Sequence, residues 1–373
     1  MTTLDTDIII VGAGIVGLAL GRAFAQAGQS VIILERNQWF GSETSSRNSE
    51  VLHAGMYYPE GSLKARLCVQ GKRKAYAYCH ERGIAARALG KLIVATTPSE
   101  LPALEKLHVL GNANDVEGLT LIGPAEIKRY EPAITALAAM HSPSSGIVDS
   151  HSWMLAMLGD LEDAGGALVR ETPFEGASKV PGGWSVLVGG TEPMAITTRV
   201  LISAAGLGAE HVARTIEGLD PANIPVMTYA KGSYFRYAAK APFTHLIYPM
   251  PSPGGLGIHV TPDMDGRARF GPDVEPVTTL DYRVDPVRRA SFAASIRSYW
   301  PDLDEEKLEV DYSGIRPKIP PAPASFADFR IDGPPEHGLD GLFCLFGIDS
   351  PGLTSSMALA EEVLARAKAA GLV

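Results

Sequence analysis

The chain has 373 residues, 46% of them hydrophobic and 20% charged, with a formal net charge of −9. That length suggests two domains, and the composition supports large packed cores and excludes a disordered chain. The acidic balance, with both signs mixed along the chain, argues against a nucleic-acid or anionic-membrane surface and leaves room for a local basic pocket.

Residues 7–11 read as a short buried strand, followed by Gly12-Ala13-Gly14-Ile15-Val16-Gly17. Leu18, Leu20, Ala23 and Phe24 then recur at helical spacing, and Gly28 ends the helix. Residues 31–34 form a second strand closed by Glu35. These are the parts of a dinucleotide-binding unit in order. Gly12 permits the tight turn, Gly14 lets the backbone approach a pyrophosphate, and Gly17 lets the helix pack on the strand. The helix N-terminus, with Ile15 and Val16, supplies amides for phosphate, and Glu35 is spaced to bond an adenosine ribose.

Three later features favour FAD over NAD. Arg36 is followed by the polar loop Thr44-Ser45-Ser46-Arg47-Asn48-Ser49, suited to wrapping a pyrophosphate and ribityl chain. Residues 200–204 form a strand that ends in Ala205-Gly206. Near the C-terminus, residues 342–346 form a strand, and Gly347-Ile348-Asp349-Ser350-Pro351-Gly352-Leu353-Thr354 opens the last helix, with Ser350 expected as N-cap and Pro351 as first helical residue. That helix N-terminus would stabilise negative charge on a reduced flavin ring. Gly206-Leu207-Gly208 and Gly255-Leu256-Gly257 lack a third glycine and a following helix, so no separate NAD(P)H domain is expected.

Between these stretches, residues 61–82 read as a helix, 89–96 as a strand leaving the nucleotide domain, and 151–164 as a helix. Strands are expected at 184–188 and 196–204. Residues 216–310 alternate short strands (229–237, 246–248, 257–261) with Pro- and Gly-rich turns, an antiparallel pattern, before a helix at 287–300. The expected fold is therefore α/β. A Rossmann-like FAD-binding domain with a parallel sheet (1–85, 145–215 and 311–373) is interleaved with a mixed α/β substrate domain containing an antiparallel sheet (86–144 and 216–310).

Cys68, Cys79 and Cys344 form no CxxC pair, consistent with reduced thiols and a cytoplasmic location. No basic segment precedes the first apolar run, so no signal peptide is expected, and no apolar stretch is long enough to predict a membrane span, although peripheral membrane contact stays open. No metal-ligand spacing occurs, so no metal is expected.

The chain resembles the D-amino-acid-oxidase-like FAD superfamily, and within it the L-2-hydroxyglutarate dehydrogenase/oxidase family. The resemblance is carried by Ser46-Arg47-Asn48-Ser49, His53-Ala54-Gly55-Met56-Tyr57-Tyr58-Pro59, Gly61-Ser62-Leu63-Lys64-Ala65-Arg66, Gly146-Ile147-Val148-Asp149, Leu246-Ile247-Tyr248-Pro249, Gly257-Ile258-His259, Gly314-Ile315-Arg316-Pro317-Lys318 and residues 346–353. It implies an FAD-dependent oxidoreductase that takes a hydride from a 2-hydroxy acid onto flavin N5 and passes electrons to quinone or oxygen. An amine oxidase of the same fold, acting on glycine, sarcosine or a D-amino acid, and a non-catalytic FAD-binding subunit are the alternatives.

Such chemistry needs a base for the hydroxyl proton and a cation for the carboxylate. The resemblance puts His53 near the flavin, and an imidazole suits a base near neutrality. His259 alternates with Ile258 and Val260 and so faces the other way. The sequence leaves open which histidine is the base, or whether either is structural. After a glycine turn at Gly314, Arg316 can grip a carboxylate with two parallel bonds, and both residues also fall in the expected cofactor set. Lys64 is either a solvated lysine or the candidate for a second carboxylate, and Tyr57 and Tyr248 are candidate hydroxyl donors or packing residues.

Overall fold

The apolar run after residue 6 closes into a buried parallel sheet. In the computed structural model, which describes residues 4–251, 257–320 and 326–373, the strand Thr6–Val11 lies between Val31–Leu34 and Met194–Ser203, parallel to both. Val31–Leu34 pairs in turn with Ala167–Val169, again in parallel. The ten-residue strand Met194–Ser203 is shared along its length. Its first half pairs antiparallel with Gly183–Val188, and its second half pairs in parallel with Leu342–Phe346. Isoleucines 8, 9 and 10 are wholly buried, as expected for parallel strands covered on both faces.

The chain divides into two compact units. The first comprises residues 1–46, 150–229 and 316–373, and the second comprises 47–149 and 230–315. The boundaries differ from those expected. Residues 47–85 and 145–149 fall in the second unit because Val51–Leu52 and Ala86–Arg87 both pair with Gly146–Val148, and Val51, Ala54, Met56 and Val69 share a core with Ile93, Met140 and Tyr248. Residues 216–229 fall in the first because Leu219, Ile224 and Met227 pack with Trp184, Leu201 and Phe346. Residues 311–315 continue the long strand Leu308–Lys318 within the second unit.

The larger sheet of the second unit is mixed rather than antiparallel throughout. Lys91–Ala95 runs parallel to Leu246–Pro249 on one side and antiparallel to Ala138–Ser142 on the other. One face carries Leu92, Val94, Ile247, Ile258 and Val260 in an aromatic-rich core, and the other carries Ile93, Ala95, Leu246 and Tyr248 in a second core.

Most expected elements lie within a few residues of their observed bounds, with local corrections. The last helix is Gly352–Ala369. Its N-cap position is Pro351, after a cis Ser350–Pro351 bond, so Ser350 does not cap it and Pro351 precedes its first turn. Gly314 lies inside a strand rather than a turn. The strand expected at 257–261 begins only at Val260, and the helix expected at 287–300 is Arg289–Arg297 after a single 3-10 turn. Gly255 and Leu256 of the second glycine cluster lie outside the described residues. The helix Leu101–Ala113 and the strands Thr120–Ile122 and Ala138–Ser142 were not expected.

Candidate active site: a nucleotide cradle and a histidine–lysine cluster

In the first unit, four parallel strands end side by side. Val11 is in register with Leu34 and with Ser203, and Ser203 with Cys344. The loops that follow, at Gly12, Glu35, Ala205 and Gly347, therefore share the carboxyl edge of one sheet, where open α/β sheets bind ligands. Three of the stretches marked by the sequence meet there directly. Ala204 donates its N–H to the Val11 carbonyl (2.9 Å), and Gly41 donates to the Ala13 carbonyl (2.9 Å). Gly12 has φ +100°, and a Cβ there would lie 2.8 Å from the Ala204 oxygen.

The glycine fingerprint is sterically required. A Cβ on Gly17 would stand 1.9 Å from the Gly12 carbonyl oxygen. Ile15–Gln26 starts at Gly14, which offers no side-chain cap, and Ser45 Oγ accepts from the Ile15 amide at 3.0 Å. Glu35 is 7% exposed; its Oε2 accepts from Ala13 N and its Oε1 from Asn37 N, both at 2.9 Å. A carboxylate has about four acceptor sites, so capacity remains for a ribose. Arg36 pairs with Glu43, and open space surrounds the positive-φ Gly206. A helix N-terminus whose own N-cap residue offers no side chain, a glycine cradle and a buried acid fit the pyrophosphate and ribose of FAD. Among the remaining expected cofactor residues, Ser46 is exposed and Arg47 stacks over Tyr282 at 4.4 Å. Asn48 Oδ1 accepts from Glu50 N at 2.7 Å. Asp349 accepts from Lys318 Nζ at 2.7 Å, and Gly352 and Thr354 are buried at the start of the last helix, with Leu353 between them. Arg316, half-buried, belongs to the first unit, whereas Gly314 on the same strand belongs to the second.

In the second unit, four of the expected residues come together around one that the sequence reading missed. His53 follows Val51–Leu52, in a loop where Gly55 has φ +108° and where a Cβ would meet Val69 at 2.7 Å. Asn114 Nδ2 donates to the carbonyls of Gly55 (3.1 Å) and Tyr58 (2.8 Å), and the Cys68 thiol donates to the His53 carbonyl. Tyr248 and His259 are both buried. Their rings stack with centroids 3.5 Å apart and planes 8° apart. His259 lies just before its strand, with Ile258 and Val260 in the opposite core, so the alternation read from the sequence holds. Lys64 is buried on the first turn of Leu63–Arg82.

The residue the sequence reading missed is Lys91. It opens the strand Lys91–Ala95, is 0% exposed, and its Nζ makes no hydrogen bond or ion pair with any described residue. Nζ stands 3.8 Å from the Tyr248 ring centroid and 5.9 Å from that of Tyr57. Burial pushes its pKa down to about 7, with Cys68 working weakly the other way. Desolvation, then the charges of Lys91 and His259, hold the His53 imidazole well below its ordinary value. Burial also raises the phenols of Tyr57 and Tyr248. At neutral pH the cluster is thus a neutral imidazole, two phenols and an amine near its midpoint, a setting that accepts anions and protons. One signal for Lys91 was present: a lysine at the inward position of an otherwise apolar strand.

Among the described residues there is no group of three His, Cys, Asp or Glu side chains placed to hold a metal ion, and no helix long and apolar enough to cross a membrane.

A family model described as FAD dependent oxidoreductase matches residues 7–366. The chain is 42% identical over 397 aligned residues to a mitochondrial L-2-hydroxyglutarate dehydrogenase of Arabidopsis thaliana, covering 96% of this chain and 82% of the relative. It is 32% identical to an L-2-hydroxyglutarate dehydrogenase of Escherichia coli, covering 78% and 68%. Its fold is that of an FAD-bound L-alpha-glycerophosphate oxidase from Mycoplasma pneumoniae (TM-score 0.86, 23% identity, 96% and 94% covered). It is also that of a glycine oxidase from Geobacillus kaustophilus (TM-score 0.80, 23% identity, 97% and 94% covered). The glycine cradle and the full-length match together make the chain a member of the FAD-dependent oxidoreductases, within the L-2-hydroxyglutarate dehydrogenase family.

Proposed function

We propose that this chain oxidises L-2-hydroxyglutarate to 2-oxoglutarate. The observation that carries the reading is the 42% identity to an L-2-hydroxyglutarate dehydrogenase over 96% of the chain. The cluster of His53, Lys91 and His259 supports it, because its chemistry favours an anionic substrate. FAD, when bound, supplies the acceptor for the hydride leaving Cα.

The protein's own part is binding and proton management. His53 takes the hydroxyl proton: it is neutral at pH 7, and the carboxylates of an arriving substrate raise its basicity toward the working range. His259, whose face is committed to Tyr248, orients the substrate together with the hydroxyls of Tyr57 and Tyr248. Arg316 carries a guanidinium suited to a bidentate grip on a carboxylate. Gly12, Gly14, Gly17, Glu35 and Ser45 hold the dinucleotide.

Quinone or oxygen takes the electrons onward, and a reducing, cytoplasmic setting suits the three unpaired, buried cysteines. Assays of the holoenzyme with L-2-hydroxyglutarate and an artificial acceptor should form 2-oxoglutarate. Release of ammonia from glycine or sarcosine, with no turnover of the hydroxy acid, would favour an amine oxidase instead.

A further inference from the structure

Lys91 is buried in the second unit with no countercharge among the described residues. The titratable groups around it are His53 and Tyr57 from the loop after Val51–Leu52, Cys68 from the helix Leu63–Arg82, Tyr248 from the neighbouring strand, and His259. Tyr234 acts in turn on Tyr248. None of these is an acid at neutral pH; the Cys68 thiol is pushed up to about 12. A buried ammonium without partners is costly, and a ring face offsets only part of that cost. The missing partner is an anion that arrives with the ligand.

The geometry says which anion. The His259 ring covers one face of Tyr248 in parallel stacking at 3.5 Å, so Nζ of Lys91, at 3.8 Å from the same centroid, stands over the other face. The two separations put the imidazole and the ammonium at most about 7 Å apart with the phenol between them, so a ligand that reaches both passes along the edge of that ring. From the hydroxyl-bearing carbon to the far carboxyl carbon of a five-carbon acid is three bonds, roughly 4 Å in extended form at ~1.5 Å per bond, and the oxygens and hydrogen bonds at both ends add the remaining reach. A substrate whose hydroxyl meets the histidines would therefore bring the far end of such a chain to Lys91.

We propose that Lys91 receives the second carboxylate of the substrate and so makes the site select a dicarboxylate over a 2-hydroxy acid with an apolar tail. This rests on the reading of the chain as a 2-hydroxy-acid dehydrogenase. It moves the role expected for Lys64, which is not free, to a lysine whose Nζ has no partner among the described residues.

The test compares L-2-hydroxyglutarate with L-2-hydroxyvalerate, which has the same chain length without the second carboxylate, on wild-type and Lys91→Met holoenzymes. At pH 8, where His53 is neutral with or without the Lys91 charge, the substitution should lower kcat/KM about 100-fold more for the dicarboxylate than for the monocarboxylate. An equal fall for both, or no fall for either, overturns the proposal. If wild type oxidises neither acid, it is the parent reading that has failed.

A second measurement needs no variant. Binding of 2-oxoglutarate and of 2-oxovalerate to the wild-type holoenzyme is followed by calorimetry in buffers of different ionisation heat. At pH 8 a free Lys91 with a pKa of about 7 is mostly neutral, and a bound carboxylate restores its proton. The dicarboxylate should take up about 0.9 proton more than the monocarboxylate, and the excess should vanish near pH 6. Equal uptake for both ligands overturns the proposal even if the variant fails to fold.

Discussion

At the residue scale, the cluster in the second unit sets two opposing demands. His53 is held neutral by burial and by its cationic neighbours, so the acid limb of kcat/KM should lie below the ordinary imidazole value of 6.5. A pH profile with its acid limb at or above that value would contradict His53 as the base. His53→Ala should lower kcat by about 10²- to 10⁴-fold while the bound-flavin spectrum stays intact. Lys91 carries the stability cost. Its folded pKa of about 7 lies below the ordinary 10.5, so the unfolded chain binds more protons across that window. Wild-type stability therefore rises with pH from about 7 toward 10.5, and Lys91→Met lacks the rise. At pH 7 the variant should melt a few degrees higher than wild type in the absence of ligand. A lower Tm would mean that the ammonium is compensated within the fold. Composition could not reveal this cluster. Lys91 meets the Tyr248 ring, and that ring meets His259, only because strands far apart in the chain become neighbours in one sheet.

At the scale of elements, legibility followed periodicity and local sterics. The strand–glycine–helix–strand unit was readable because each glycine answers a local need, and Gly17 shows how strict that need is. Gly17→Ala should abolish FAD retention, measured as flavin absorbance per protein after gel filtration; full retention would show that helix and loop separate without loss. Composition alone predicts a turn at Gly314. It is instead a strand residue whose missing Cβ admits the Arg47 carbonyl, 1.9 Å from where that atom would lie. Gly314→Ala should displace residues 47–49 and lower Tm, whereas an unchanged melting curve would mean that the strand shifts freely. The last helix was found, but its start was misread: the chain delays the first turn past Pro351. The helix Leu101–Ala113 escaped because only Leu104 and Gly111 are buried, so its apolar stripe is thin.

At the scale of the molecule, two units built from interleaved segments divide the labour. The first carries the parallel sheet and its carboxyl-edge loops, and the second carries the buried histidine–lysine cluster. The α/β class and the FAD cradle were visible because a dinucleotide imposes a compact local pattern. The unit boundaries were less visible, because whether residues 47–85 pack with one sheet or the other depends on pairing with Gly146–Val148. The central claim is that this chain draws a hydride from a 2-hydroxy dicarboxylate onto FAD. Anaerobic titration of the purified holoenzyme with L-2-hydroxyglutarate tests it most directly. The oxidised flavin bands should bleach to completion at about one equivalent, with 2-oxoglutarate formed in equal amount. A flavin that stays oxidised with this acid, yet is reduced by an amino acid, would contradict it.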